Sequence, residues 1–280
     1  MQRLIKIFQE ERLLEKVSRQ FKYALYVYVI CRSLFWLYQY DLFFGKYAFG
    51  YSLYRYSGNF KDVAFVLLNC HNQNLGYYFL FAAMALASLC LFLPKIRPVA
   101  DLVLWLLLIN LHYKIYSALT GGDYLLNQLL FFQIFLGLPT GARNGKWTAL
   151  CTILHNGAVT AIMAQVCFVY VMSGLAKIID HNWQQGEALQ IIAQVEQFKL
   201  IPAPYRSLPS SVLLYMLNYL VMCYQLLFPV LAFVKKTKKP FLLFGIAMHL
   251  YIMCFMGLFW FASIMLITYF FFWPFSSRKQ

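Results

Sequence analysis

The chain has 280 residues, 62% of them hydrophobic, 19% aromatic and only 12% charged, against roughly a quarter charged in soluble domains; its mean hydropathy is +0.61. This composition excludes an ordinary soluble domain and predicts an all-α, polytopic membrane protein, a single helical bundle over residues 1–280 in contact with the lipid bilayer. The net charge of +14 does not point to nucleic acid, because the basic residues sit in short segments between apolar runs, where they set orientation, and not on one continuous basic face.

Residues 1–21 set Leu4, Ile5, Phe8, Leu13, Leu14 and Val17 among charged residues, the pattern of an amphipathic helix lying on the membrane surface. No cleavable signal peptide is read there, because residues 1–22 are charged and the following apolar run lacks a small-residue cleavage motif. A first span is predicted over 21–44, with Arg32 in its middle and Asp41 near its far end. Residues 45–76 read as a polar loop whose apolar piece, VAFVLL, is too short to cross a bilayer.

Further spans are predicted over 77–93, 99–119, 124–138, 158–179 and 212–234, with residues 180–211 as an outer loop. Asp101 and Lys114 fall near opposite ends of the third span, where long side chains can snorkel. The apolar run 241–274 is too long for one crossing at about 1.5 Å per residue, so it is divided near Gly257. About eight spans result.

Charge distribution then orients the bundle. With the N-terminus in the cytoplasm, 16 of the 24 Lys/Arg fall in inner segments and five (Lys46, Arg55, Lys61, Lys199 and Arg206) in outer ones. That asymmetry predicts both termini in the cytoplasm. The seven cysteines show no CxxC and no paired spacing, so neither a disulfide framework nor a metal site is expected.

This orientation places Lys177 near the outer end of the fifth span, with Asp180, His181 and Trp183 at the interface beyond it and Asp41 and Asp123 on the same side. Ionisable residues inside spans usually face a protein interior or a wet cavity. A lysine partly removed from water gives up some of its preference for the charged form, and a neutral amine can act as a base. The competing reading is that Lys177 only snorkels, that Asp180 and His181 are solvated, and that Trp183 is an interfacial belt residue. His249, near the middle of the seventh span, is a proton relay, a quinone or ligand contact, or a helix-to-helix hydrogen bond. Arg32 cannot shed its charge and needs a carboxylate, an anionic ligand or a wet cavity. Asp41 lies about 13 Å along the same helix, too far for a direct pair, so the partner of Arg32 stays open.

Gln165, Val166, Val169, Tyr170, Ser173, Gly174 and Lys177, followed by Trp183 and Gly186, resemble the signature of the HTTM (horizontally transferred transmembrane) domain, the membrane region of vitamin K-dependent gamma-carboxylases. Leu227, Phe228, Pro229, Gly245, His249, Met256, Gly257, Phe261 and Met265 resemble its closing part. The likeness implies a helical bundle whose carboxylase members deprotonate a reduced naphthoquinone with a lysine and carboxylate glutamate in a peptide. It assigns the base to Lys177, matches His249 to a histidine of the closing helices, and implies a reduced quinone of vitamin K or menaquinone type as cofactor. Arg32, Asp41, Asp123, Tyr170, Asp180 and Trp183 are the candidate substrate-binding residues.

This sequence departs from the carboxylases in three ways: no counterpart of their large soluble domain is read, the Lys177 to Trp183 spacing is one residue longer, and Asp123 stands where they carry a histidine. Two functions therefore stand side by side. One is a quinol-dependent, carboxylase-like or redox enzyme acting on a peptide at the outer face; the other is a non-catalytic membrane module for peptide or protein export or toxin maturation. A transporter is the weaker third, because no paired half-helices interrupted by Gly or Pro are found.

Overall fold

The computed structural model describes residues 11–45, 75–115, 118–139, 145–195 and 211–273. All regular structure among them is helical. The residues divide into two compact units, Met1–Val159 and Thr160–Gln280, and the boundary falls within one long helix.

The first unit is built on α1 (Glu15–Tyr38), α2 (Tyr40–Phe44), α3 (Leu75–Phe92), α4 (Arg97–Lys114) and α5 (Gly121–Gln133). Helix α1 packs on α3, α3 on α4, and α4 on α5. Phe21, Leu25, Tyr26, Val29 and Trp36 of α1 are fully buried at helical spacing. Leu80, Ala83, Ala87 and Cys90 of α3 are fully buried too, and the small residues among them let backbones approach closely, as membrane helices favour. The turn between α3 and α4 is a short 3₁₀ helix, Pro94–Ile96, with Pro98 beginning α4, where a missing N–H costs nothing.

The expected surface helix over 1–21 is corrected in its described part. Residues from Glu15 belong to α1 itself, and Val17, Phe21 and Leu25 are buried in the unit, so this stretch continues the first helix inward; residues 1–10 lie outside the described residues. Just ahead of α1, Asn156 grips the chain from both sides, accepting from Leu13 N at 2.7 Å and donating to Glu11 O at 2.7 Å. His155 accepts from Gly137 N at 3.0 Å and meets Leu13 O at 2.9 Å.

Helix α6 (Gly145–Ile179) runs unbroken for 35 residues, roughly 52 Å at the α-helical rise, so it starts well before the expected start of the fifth span at 158. The second unit contains its C-terminal half together with α7 (His181–Gln184), α8 (Ala188–Gln194), α9 (Ser211–Leu231), α10 (Lys238–Phe255) and α11 (Phe259–Thr268). The outer loop expected over 180–211 is therefore partly helical: Ala188 and Ala193 of α8 are buried, and α8 packs on α9. Residues 196–210 lie outside the described residues. Gly257 adopts φ +68° between α10 and α11, a left-handed conformation open to glycine at low cost, and divides the long apolar run where the sequence predicts.

Among the described residues, four helical stretches are long and apolar enough to cross a membrane: Pro94–Lys114, Gly145–Ile179, Ser211–Leu231 and Lys238–Phe255. Two shorter apolar stretches, Gly76–Phe92 and Phe259–Phe271, accompany them. Helix α5, expected as a span, has only 13 residues, or about 20 Å against a hydrocarbon core of about 30 Å.

Candidate functional site

The second unit holds a cavity of about 480 Å³ whose lining is almost wholly apolar. This lies within the range of about 300–1,000 Å³ found for small-molecule sites. Val169, Tyr170, Ser173 and Lys177 of α6 lie at spacings of three and four residues and form one wall. Trp183 of α7 and Leu189, Ile192 and Ala193 of α8 cover another side, so the segment after α6 folds back over the cavity. Leu214, Leu217, Val221 and Gln225 enter from α9, Met248, His249 and Ile252 from α10, and Phe261 and Met265 from α11.

Lys177 is half-buried. Its Nζ donates to Ser173 Oγ at 2.9 Å and approaches Ser173 O at 3.4 Å, one turn back on the same helix. The ammonium also lies 4.8 Å from the centre of the Trp183 ring, where a ring quadrupole attracts a cation. Asp180 is exposed, and its side chain accepts from Trp183 N at 3.2 Å as the N-cap of α7. It thus orients the short helix that carries Trp183. His181 is exposed.

Deeper in the cavity wall, His249 is 2% exposed and its Nε2 lies 2.7 Å from Tyr170 Oη. Tyr170 Oη is also 2.6 Å from Tyr269 Oη, which is 2.6 Å from Tyr224 Oη. A chain of three phenols and one imidazole results. Gly245 makes room for it: a Cβ there would fall 1.9 Å from Tyr224 Oη and 2.2 Å from Tyr269 Oη. The rings of Phe228, Phe241 and Phe244 pack around Tyr224 and seal that end in apolar surroundings. His249 Nδ1 and Gln225 Oε1 are buried without a hydrogen-bond partner among the described residues.

The structure therefore brings Tyr170, Lys177, Trp183 and His249 to one cavity, with Asp180 at its margin as a helix cap. Arg32 and Asp123 lie in the first unit and pair with each other, at 2.9 and 3.1 Å. Asp123 also accepts from Thr120 N and Thr120 Oγ1, both at 2.9 Å, and so closes a capping box at the start of α5. Asp41, in the first turn of α2, is exposed. Asp101, expected to snorkel, is fully buried, because Lys22 Nζ approaches it at 2.6 Å, Tyr26 Oη donates at 2.6 Å and Gln133 Nε2 at 2.8 Å. Ser173, Tyr224, Gln225 and Tyr269 were not among the sequence candidates. For Tyr224 and Tyr269 the signal was faint: a tyrosine inside an apolar run, among 21 in the chain, looks like packing.

The fold and this cavity define a helical membrane-type unit with a ligand-sized apolar pocket. Residues 153–276 match the family model of the HTTM domain, nearly the extent of the second unit. The apolar helices fit a multi-pass integral membrane protein, and the HTTM likeness is carried by this part of the chain. No curated protein and no solved structure matches the chain.

Proposed function

We propose that this HTTM membrane protein is a quinol-dependent, carboxylase-like or redox enzyme in which Lys177 serves as general base. The observation that carries the reading is the cavity of about 480 Å³ lined by Lys177, Tyr170, Trp183 and His249. A tightly packed, pocketless bundle would instead suit a non-catalytic export or maturation module.

The residues present fit a reduced quinone. The apolar walls suit a fused ring, Trp183 and Tyr170 offer aromatic surface, and Lys177 and Ser173 place polar groups on the same lining. When bound, such a group supplies reducing equivalents and an acidic hydroxyl. Lys177 Nζ takes up the hydroxyl proton in its neutral form, and Ser173 Oγ orients the amine through its hydrogen bond. Trp183, held by the Asp180 cap, covers the lysine and limits its access to water.

The same proposal includes about eight spans, both termini in the cytoplasm, a site on the outer side and a peptide as the acceptor substrate. Lys177→Arg keeps the charge but cannot serve as a base. It is expected to abolish oxidation of a reduced naphthoquinone, followed by absorbance, with expression and thermal stability unchanged. Full turnover in Lys177→Arg would remove Lys177 from the chemistry.

A further inference from the structure

We infer that Asn218 and Tyr219 of α9 are positioning residues: by binding the two carbonyls that end α7 they fix Trp183 over the Lys177 amine, and so set how far that amine is open to water and to reagents.

Helix α7, His181–Gln184, has four residues, a single turn, too short to persist on its own hydrogen bonds. The place of the Trp183 ring therefore depends on bonds to other elements. Toward α6, Asp180 caps Trp183 N at 3.2 Å, and Gln184 Nε2 donates to Ile178 O at 2.7 Å. The carbonyls at the other end would be left over by so short a helix, and α9 takes them up. Asn218 Nδ2 donates to Trp183 O at 2.8 Å, and Tyr219 Oη donates to Gln184 O at 2.7 Å. A carbonyl oxygen only accepts, so the Asn218 amide presents its NH₂ group there.

Burial and backbone geometry support the anchors. Asn218 is fully buried, where losing a hydrogen bond costs more than it does in water. Gly186, just after α7, adopts φ +79°, and a Cβ there would collide with the ring of Tyr215, one turn before Tyr219 on α9. The glycine thus lets the chain turn directly against the helix that holds it.

The consequence falls on Lys177. Ser173, whose Oγ accepts from Nζ at 2.9 Å, sits on the same helix as the lysine and moves with it. Trp183, with its ring centre 4.8 Å from Nζ, comes from α7, so the anchors on α9 govern its place. With an anchor removed, the indole leaves the amine for part of the time, and the half-buried Nζ meets more water. This placement holds whether or not Lys177 acts as a base.

Labelling of the full-length protein in detergent with trinitrobenzenesulfonate, an anionic amine reagent, followed at Lys177 by peptide mass spectrometry, tests the anchors. Asn218→Leu should label Lys177 about fivefold faster than the wild type, the weight of one net hydrogen bond. Tyr219→Phe, which loses only a hydroxyl, should raise the rate by a smaller factor and decides alone if Asn218→Leu does not fold. The exposed Lys235 and Lys236 should react at the wild-type rate in both variants. Trp183→Ala should itself label fast, and Asn218→Leu should add nothing to it, whereas a merely structural role would add its effect in either background. An unchanged Lys177 rate in the anchor variants, a rise shared by Lys235 and Lys236, or an equal gain from Asn218→Leu in the Trp183→Ala background would overturn the inference. No quinone enters this measurement, so its outcome is separate from that of Lys177→Arg turnover.

Discussion

Lys177 and Arg32, two cations in the apolar body of this protein, are held by different partners. Lys177 is tethered to Ser173 one turn back and covered by Trp183, so its amine is placed at a cavity wall and does not roam the interface. Arg32 is held otherwise: Asp123 faces it at 2.9 Å while capping α5, and the Trp36 ring lies 4.5 Å from its guanidinium. Removing one partner of such a buried pair strands the other charge, at a cost of about 3–5 kcal/mol. Arg32→Ala is expected to destabilise the protein by that amount in denaturant unfolding, and Arg32→Ala with Asp123→Ala by less than the sum of the single changes. Additive losses would mean the two residues are independent. Lys177, Tyr170, Trp183 and His249 were legible as candidates because a costly ion, a family-like spacing and a mid-span imidazole mark them. The partner of Arg32 was not, since it lies 91 residues away and only folding brings it near.

At the scale of elements, punctuation was read more securely than extent. Gly257, at φ +68°, ends α10 and lets α11 begin. Gly257→Ala is expected to destabilise by about 1–2 kcal/mol, the cost of a left-handed conformation with a Cβ, measurable as a lowered unfolding midpoint. An unchanged midpoint would mean that the break does not depend on this conformation. The start of α6 was misjudged because polar residues such as Thr152, His155 and Asn156 look like loop in sequence, yet Thr152 Oγ1 donates to Thr148 O on its own helix and the other two bind the chain ahead of α1. The helices after Asp180 were hidden by their polar residues, although Leu189 and Ile192 already lay at helical spacing.

For the whole molecule, composition alone dictated an all-helical membrane protein, and the helices agree with it. Hydropathy did not separate the long apolar helices from shorter ones such as α5, which has 13 residues. The proposed orientation makes a simple prediction in intact cells. A thiol reagent that cannot cross the membrane should label Glu187→Cys from outside and should reach Lys236→Cys only after the membrane is opened. The reverse pattern would invert the bundle and move the cavity to the cytoplasmic side.

The most direct test is whether the cavity takes up a quinone-like ring beside Lys177. Titration of the purified protein with menadione, followed by tryptophan fluorescence, should give saturable quenching whose main component disappears in Trp183→Phe. Filling the cavity with Ala193→Trp, scored by competition against labelled menadione, should weaken binding by about tenfold or more, the equivalent of roughly 1.4 kcal/mol. Non-saturable quenching, or binding indifferent to Ala193→Trp, would contradict a ligand site in this cavity.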